Sequence, residues 1–249
     1  MNREDFPIFN DGIIYFDNAA TTQKPKSVVD SIVLYYTKYT ANAHRGDYDI
    51  SLKVDEKYES VRTKVKEFIN AKSEKEIIFT KGSTESFNNI IFGYMINYLK
   101  KDDEVIITKA EHASNILPWM VLEEKIGIKL VYAYLENDYS LSLNKIKEKE
   151  NEKIKVISIA HITNSIGDVR PVEEIGKLCK ENNLLFVVDA TQSIGHLKVD
   201  VEKSNISFLG FSSHKMLGPT GVGVLYGRLD LLENLVPLES GGGLNTIFN

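Results

Sequence analysis

The stretch Phe208-Leu-Gly-Phe-Ser-Ser-His-Lys-Met-Leu-Gly-Pro-Thr-Gly-Val-Gly223 decides the fold. An apolar run, Ile206 to Phe211, stops at two serines, a histidine and a lysine. The turn Gly218-Pro219-Thr220-Gly221 then leads into a second apolar run, Val222 to Tyr226. The pattern predicts a buried strand that carries Lys215 to a pocket at its end, followed by a tight return. A lysine held beside low-dielectric walls releases its proton more readily, and a neutral amine can form a Schiff base with a carbonyl. The competing interpretation is a solvated lysine in a surface turn, and only the rest of the chain separates the two.

Outward from this stretch, apolar runs alternate with helical periodicity. Strands are expected at 76–80, 104–108, 129–135, 155–160, 184–189, 206–211 and 222–226. Helices are expected at 84–99, about 114–125, about 141–149 and 172–182. The strands are continuous, as in Val105-Ile-Ile and Leu184-Leu-Phe-Val-Val. Continuous runs belong to strands covered on both sides, so the fold class is α/β: a mostly parallel sheet with helices on both faces, in three layers. Earlier in the chain, residues 1–25 read as an N-terminal arm ahead of one large domain, 26–249. Within the arm, Tyr15-Phe-Asp-Asn-Ala-Ala-Thr-Thr22 suggests a loop that approaches something closely. Pro25 opens a helix in which Val28, Val29, Ile32, Val33 and Tyr36 are expected to pack inward. A second helix carries Val54, Tyr58, Val61, Val65, Phe68 and Ile69 at helical spacing.

Composition narrows the classes of function. The 249 residues are 43% hydrophobic and 26% charged, ordinary for a globular protein, with a net charge of −5. That balance, without a basic run, argues against a nucleic-acid partner. No segment reaches membrane-spanning length, and the first residues lack a secretory signal, so a cytoplasmic location is the default expectation. The five histidines show no paired ligand spacing, and no metal site is expected. Cys179 is the single cysteine; it shares a helical face with Val172, Ile175 and Leu178, which reads as a core thiol.

In open α/β sheets, ligands bind outside the carboxyl ends of the strands. After Ile77-Ile-Phe-Thr80 comes Lys81-Gly-Ser-Thr-Glu85, where Ser83 and Thr84 open a helix as either a cap or a phosphate cradle. His112 follows the next strand, and Asn164 follows the strand ending at Ala160. Asp189 closes Phe186-Val-Val and is followed by Gln192; a buried carboxylate there needs a cationic partner or several donors. Together the strand ends offer a Schiff-base lysine, a carboxylate, a flat ring, amide donors and a phosphate cradle. Pyridoxal 5'-phosphate requires that inventory.

These residues carry a resemblance. The chain resembles the large domain of a class V, fold-type I pyridoxal phosphate enzyme, and within that class the cysteine desulfurase and selenocysteine lyase group of the Suf type. The resemblance runs from Tyr15 to Pro25 through His44-Arg-Gly46, Gly82 to Glu85, Glu111 to Trp119, His161 to Asn164, Asp189 to Gln192, Ser212 to Lys215 and Gly218 to Gly221, to Gly241-Gly-Gly243. It implies that Lys215 holds the cofactor aldehyde and shuttles the substrate's α-proton. Asp189 would pair with the pyridine nitrogen, His112 would stack on the ring and assist proton transfer, and Gln192 and Asn164 would reach the ring hydroxyl. Ser83, Thr84, Ser212 and His214 would hold the phosphate. Ala19 and Ala20, with His44 and Arg45, would line the substrate pocket. The implied reaction releases alanine from cysteine and passes sulfur to an enzyme cysteine, in a homodimer that can hand sulfur to an acceptor protein for iron–sulfur cluster assembly.

Tyr48, Leu244 and Asn245 depart from the family's usual pattern, and Cys179 does not match its persulfide-forming cysteine. The sequence reaches Asn249 before the family's smaller C-terminal domain, so a fragment is expected. Selenocysteine cleavage, transamination, epimerisation and an inactive cofactor-binding domain stay open as alternatives.

Overall fold

A computed structural model describes residues 2–240; the triple glycine 241–243, with Leu244 and Asn245, lies outside the described residues. In chain order the elements are α1 (Lys26–Lys38), α2 (Asp49–Phe68), β1 (Ile77–Thr80), α3 (Ser83–Asn88) and, beyond a π-helical stretch (Asn89–Met95), α4 (Ile96–Tyr98). Then follow β2 (Glu104–Ile107), α5 (Ala113–Ile126), β3 (Lys129–Tyr132), α6 (Leu143–Lys147), β4 (Ile154–Ala160) and α7 (Val172–Glu181). Last come β5 (Leu185–Asp189), β6 (Phe208–Ser212), β7 (Gly223–Gly227) and α8 (Leu229–Leu232).

The strands form one sheet in the order β1-β7-β6-β5-β4-β2-β3. Pairing is parallel from β3 through β6, and β7 runs antiparallel to both β6 and β1. Alternate residues of each central strand enter different cores. Ile106, Phe186, Val188 and Leu209 join one cluster, with Ile175, Leu178 and Cys179 of α7. Val105, Ile107, Val187 and Phe208 join the other, with Phe87, Ile90, Trp119 and Leu122 from α3, α5 and the π stretch. The expected α/β class, with both faces of the sheet covered, is what folds. Contact with α7 is close: a Cβ on Gly176 would lie 1.7 Å from the Ser204 carbonyl oxygen.

Three expectations change. α1 buries none of its residues, and Val29, Ile32, Val33 and Tyr36 stand exposed, Tyr36 at 71%. Periodicity reports that a helix has an apolar face; it does not report what covers that face. The second helix likewise buries Val54, with Ile69 just beyond its end, while Tyr58, Val61 and Phe68 are exposed. The expected helix at 84–99 is instead interrupted by the π stretch, at the point where the Val236 N–H bonds the Gly93 carbonyl at 3.0 Å. No helix among the described residues is long and apolar enough to cross a membrane.

Candidate cofactor and substrate site

Because β1, β2, β4, β5 and β6 run parallel, their carboxyl ends open on one edge of the sheet. A cavity of about 530 Å³ lies there. Its lining brings together Ala19, Ala20, Ser83, Thr84, His112, Asn164, Asp189, Gln192, Ser212, His214 and Lys215, with Asp17, Ser114 and Thr191 among the others. His44 and Arg45 are not among the lining residues. His44 meets the carboxylates of α2 instead: its Nε2 lies 3.2 Å from Glu59, and its backbone N–H donates to Asp55 at 2.6 Å. A larger cavity, about 850 Å³, sits beyond the opposite ends of β4 and β5, among polar and charged side chains such as Lys100, Glu150, Glu152 and Asn182.

β6 delivers the lysine. Its last residue, Ser212, is followed by a single 3₁₀ turn, Ser213–Lys215. The turn is closed by Met216 and Gly218 N–H groups, both 2.9 Å from the Ser213 carbonyl. Lys215 is half-buried, and burial lowers the pKa of its amine, partly opposed by the negative charge of Asp189. Adjacent β5 ends on Asp189, 5% exposed. Its Oδ1 accepts the Thr191 N–H at 2.9 Å. Burial pushes this carboxyl above the ordinary carboxylate range, the Thr191 bonds opposing the shift.

The anion end of the cavity is built from the turn between β1 and α3. Gly82 adopts φ +156°, and Gly223 packs so tightly that a Cβ there would meet the Gly82 Cα at 2.5 Å. This approach places the Ser83 N–H 2.8 Å from Ser212 Oγ, which in turn lies 3.0 Å from Ser83 Oγ. Hydroxyl and amide donors therefore converge at a helix start, a setting that favours an anion. His214 stands beside them, its Nδ1 3.1 Å from Thr21 Oγ1; burial and the charges of Lys215 and Lys24 lower its pKa.

His112 has two duties at once. As the N-cap of α5, its Nδ1 accepts the Ser114 N–H at 3.2 Å, which puts the proton of the neutral ring on Nε2. Ser114 Oγ continues to Thr84 Oγ1 at 2.8 Å, joining the α5 and α3 starts. Behind the cap, Glu111 is buried and paired with Arg170, whose side chain is fully enclosed. Glu111 also accepts the Ala160 N–H at 2.6 Å. Gln192 Nε2 donates to the Ala19 carbonyl at 2.8 Å, tying the arm to the pocket wall.

Two features measure whether pyridoxal phosphate fits. Thr191 Oγ1 is buried without a partner among the described residues, and the Asp189 carboxyl is buried at the strand end with only the Thr191 N–H bonded to its Oδ1 among them. A protonated pyridine nitrogen at Asp189 supplies what the carboxylate lacks, and the donors around Ser83 and Ser212 suit a phosphate. The residues fit the group. Among the described residues no cluster of His, Cys, Asp or Glu could hold a metal ion. Sequence reasoning did not single out Thr22, Lys24, Thr191, Glu111 or Arg170. The small polar run at Thr21-Thr22 and the motifs Glu111 to Trp119 and Asp189 to Gln192 contain three of them without marking their contacts.

The family described as "Aminotransferase class-V" matches residues 14–248, and the chain belongs to it. This is a family of pyridoxal phosphate-dependent enzymes, and the sheet is the fold-type I arrangement of the cysteine desulfurases. A Synechocystis protein named "Probable cysteine desulfurase" is 41% identical, over 96% of this chain and 58% of its own length. The apo structure of cysteine desulfurase from Thermococcus onnurineus NA1 superimposes with a TM-score of 0.91 at 41% identity, over 97% of this chain and 60% of that one. A structure of SspA in complex with cysteine matches with a TM-score of 0.85 at 32% identity, over 93% of this chain and 66% of that one. The chain thus spans about three fifths of the length of the first two.

Proposed function

We propose that this chain is the cofactor-binding large domain, residues 26–249 with residues 1–25 as its arm, of a Suf-type cysteine desulfurase acting on L-cysteine. The observation that carries this reading is the pairing of Asp189 and Lys215 on one cavity, at the ends of adjacent parallel strands that register Asp189 against Gly210. Pyridoxal phosphate, when bound, supplies a protonated ring that accepts the electron pair left by the substrate's α-proton. Asp189 keeps the ring nitrogen protonated. Lys215 would hold the aldehyde, and its amine would be the group positioned to move the substrate's α-proton. His112 would face the ring, with its Nε2–H available for proton transfer because Nδ1 accepts the Ser114 N–H. Ser83, Thr84, Ser212 and His214 bind the phosphate, while Asn164 and Gln192 take the ring hydroxyl. Ala19 and Ala20 wall the substrate side.

Sulfur acceptance belongs elsewhere in this reading. Cys179 is 1% exposed within the core, and burial pushes its thiol far above the usual range. A thiol kept protonated is a poor nucleophile. We therefore assign the persulfide-forming cysteine to protein outside these 249 residues, and a homodimer and a sulfur-acceptor partner go with that assignment.

The test supplies the chain with pyridoxal phosphate, L-cysteine and dithiothreitol as external sulfur acceptor, and measures alanine. Alanine formation above that of free cofactor is expected. A complete protein, carrying this domain and the sulfur-accepting part, that captures cofactor yet leaves cysteine at the free-cofactor rate would sink the desulfurase reading, and a panel of other amino acids would then identify its class V reaction. Asp189→Asn should slow alanine formation by about 10²–10³-fold, because charge developing on the ring loses its buried counter-ion. Reductive trapping of cofactor should stay within a fewfold of wild type, since it needs only the aldehyde and the amine. Equal loss of both would make Asp189 a support of the fold instead.

A further inference from the structure

One residue of the arm brackets the lysine turn. Thr22, 8% exposed, donates its backbone N–H to the His214 carbonyl at 2.9 Å. Its Oγ1 donates to the same carbonyl, also at 2.9 Å, and accepts the Leu217 N–H at 2.8 Å. The hydroxyl thus spends its one proton on the residue before Lys215 and a lone pair on the residue two beyond it. Thr21 Oγ1 and Lys24 Nζ reach the His214 carbonyl too, at 3.2 and 3.3 Å. Leu217 has φ +72°, a left-handed conformation that a side chain bearing a Cβ adopts only when its surroundings hold it there.

We propose that Thr22 is a positioning residue for Lys215: its hydroxyl clips the turn on both sides, so that the lysine's Cα stays fixed while its side chain moves. Lys215 needs both properties, because its amine first holds the cofactor and then carries a proton. The turn's own bonds, from the Met216 and Gly218 N–H groups, both close on the Ser213 carbonyl; the clip adds ties to the His214 carbonyl and the Leu217 N–H from outside the turn. The clip joins residues 192 positions apart in the chain. At the other end of the same segment, the bond from Gln192 to Ala19 anchors it again, so the pocket wall and the clip are one piece of backbone. The proposal rests on the reading of Lys215 as the residue that captures pyridoxal phosphate.

Thr22→Val keeps the branched shape and removes both hydroxyl bonds; Thr22→Ser restores them. The first measurement is amide hydrogen exchange at Leu217 in the chain without cofactor. Exchange should be slow in wild type, rise about tenfold or more in the valine variant, and return in the serine variant. The second is the rate at which Lys215 is trapped by pyridoxal phosphate and borohydride, which should fall about tenfold in Thr22→Val and recover in Thr22→Ser. Trapping and Leu217 exchange at wild-type rates in the valine variant would overturn the proposal. Equal impairment of the serine variant would also overturn it, because a hydroxyl restored without recovery means that the hydroxyl is not what holds the turn. Should the valine variant not fold, wild-type Leu217 decides the matter: exchange as fast as an unbonded amide means there is no clip. Wild-type protein that takes no cofactor at Lys215 would end the cofactor reading, while Leu217 exchange still decides the clip.

Discussion

Lys215→Ala is expected to abolish borohydride trapping of pyridoxal phosphate on this chain, to the detection limit of peptide mapping. Many lysines could in principle form a Schiff base with the aldehyde, but the reactive species is the neutral amine. A surface lysine with pKa near 10.4 is almost entirely protonated at pH 7, and each unit of depression multiplies the neutral fraction about tenfold. Burial lowers Lys215, whereas Lys81, Lys129 and Lys203, each bonded to a carboxylate, are raised. The capture rate in wild type should therefore climb with pH and level off below the range of an ordinary lysine. Lys24 provides an internal control: burial lowers its amine as well, but its Nζ is bonded to backbone carbonyls and to Thr21. Persistent trapping mapped to Lys24 in the Lys215→Ala variant would remove Lys215 from its central role.

Much of this site is visible in the sequence because strand ends are. A run such as Phe186-Val-Val-Asp189 changes from apolar to polar where the chain leaves the sheet. In a parallel sheet those changes fall on one edge, so Asp189, Asn164, His112 and Lys215 could be gathered before any coordinates. What the sequence hid is non-local. Thr22 looks like any small polar loop residue until β6 brings His214 to it. Arg170, in Asp168-Val-Arg-Pro171, has nothing in its neighbourhood to say that it is buried against Glu111, 59 positions earlier. The position of His44 beside α2 has the same origin. Its neighbours place it in a loop, but the acids that hold it, Asp55 and Glu59, lie about two and three turns into α2. The exposed stripe of α1 is the reverse case, a pattern legible in the sequence that no described residue covers.

The second large effect is expected from Arg170→Ala, and it falls first on stability. Arg170 Nη1 pairs with Glu111, Nη2 bonds Thr108 Oγ1 at 3.0 Å, and Nε faces Asp168 at 3.4 Å. Glu111 answers with bonds from Thr108, Asn115 and the Ala160 N–H, and Asp168 accepts from Thr163 at 2.6 Å. One buried guanidinium therefore ties the end of β2, the residue before His112, the end of β4 and the loop that carries Asn164. Truncating it leaves an enclosed carboxylate without its cation, a loss of about 3–5 kcal/mol, against total stabilities of about 5–15 kcal/mol for folded domains. Denaturant unfolding should show that loss. Adding Glu111→Gln to Arg170→Met should recover part of it, because the charge that was stranded is gone. The coupling separates this node from simple cavity formation, which would make the two changes additive. Within the folded fraction, His112 should lose its fixed ring before Lys215 loses its turn. Only the former sits beside Glu111, so cofactor trapping should survive in variants whose proton-transfer steps are slowed. An Arg170→Ala chain within about 1 kcal/mol of wild type would mean that water reaches Glu111 and that the pair supports neither the fold nor the site.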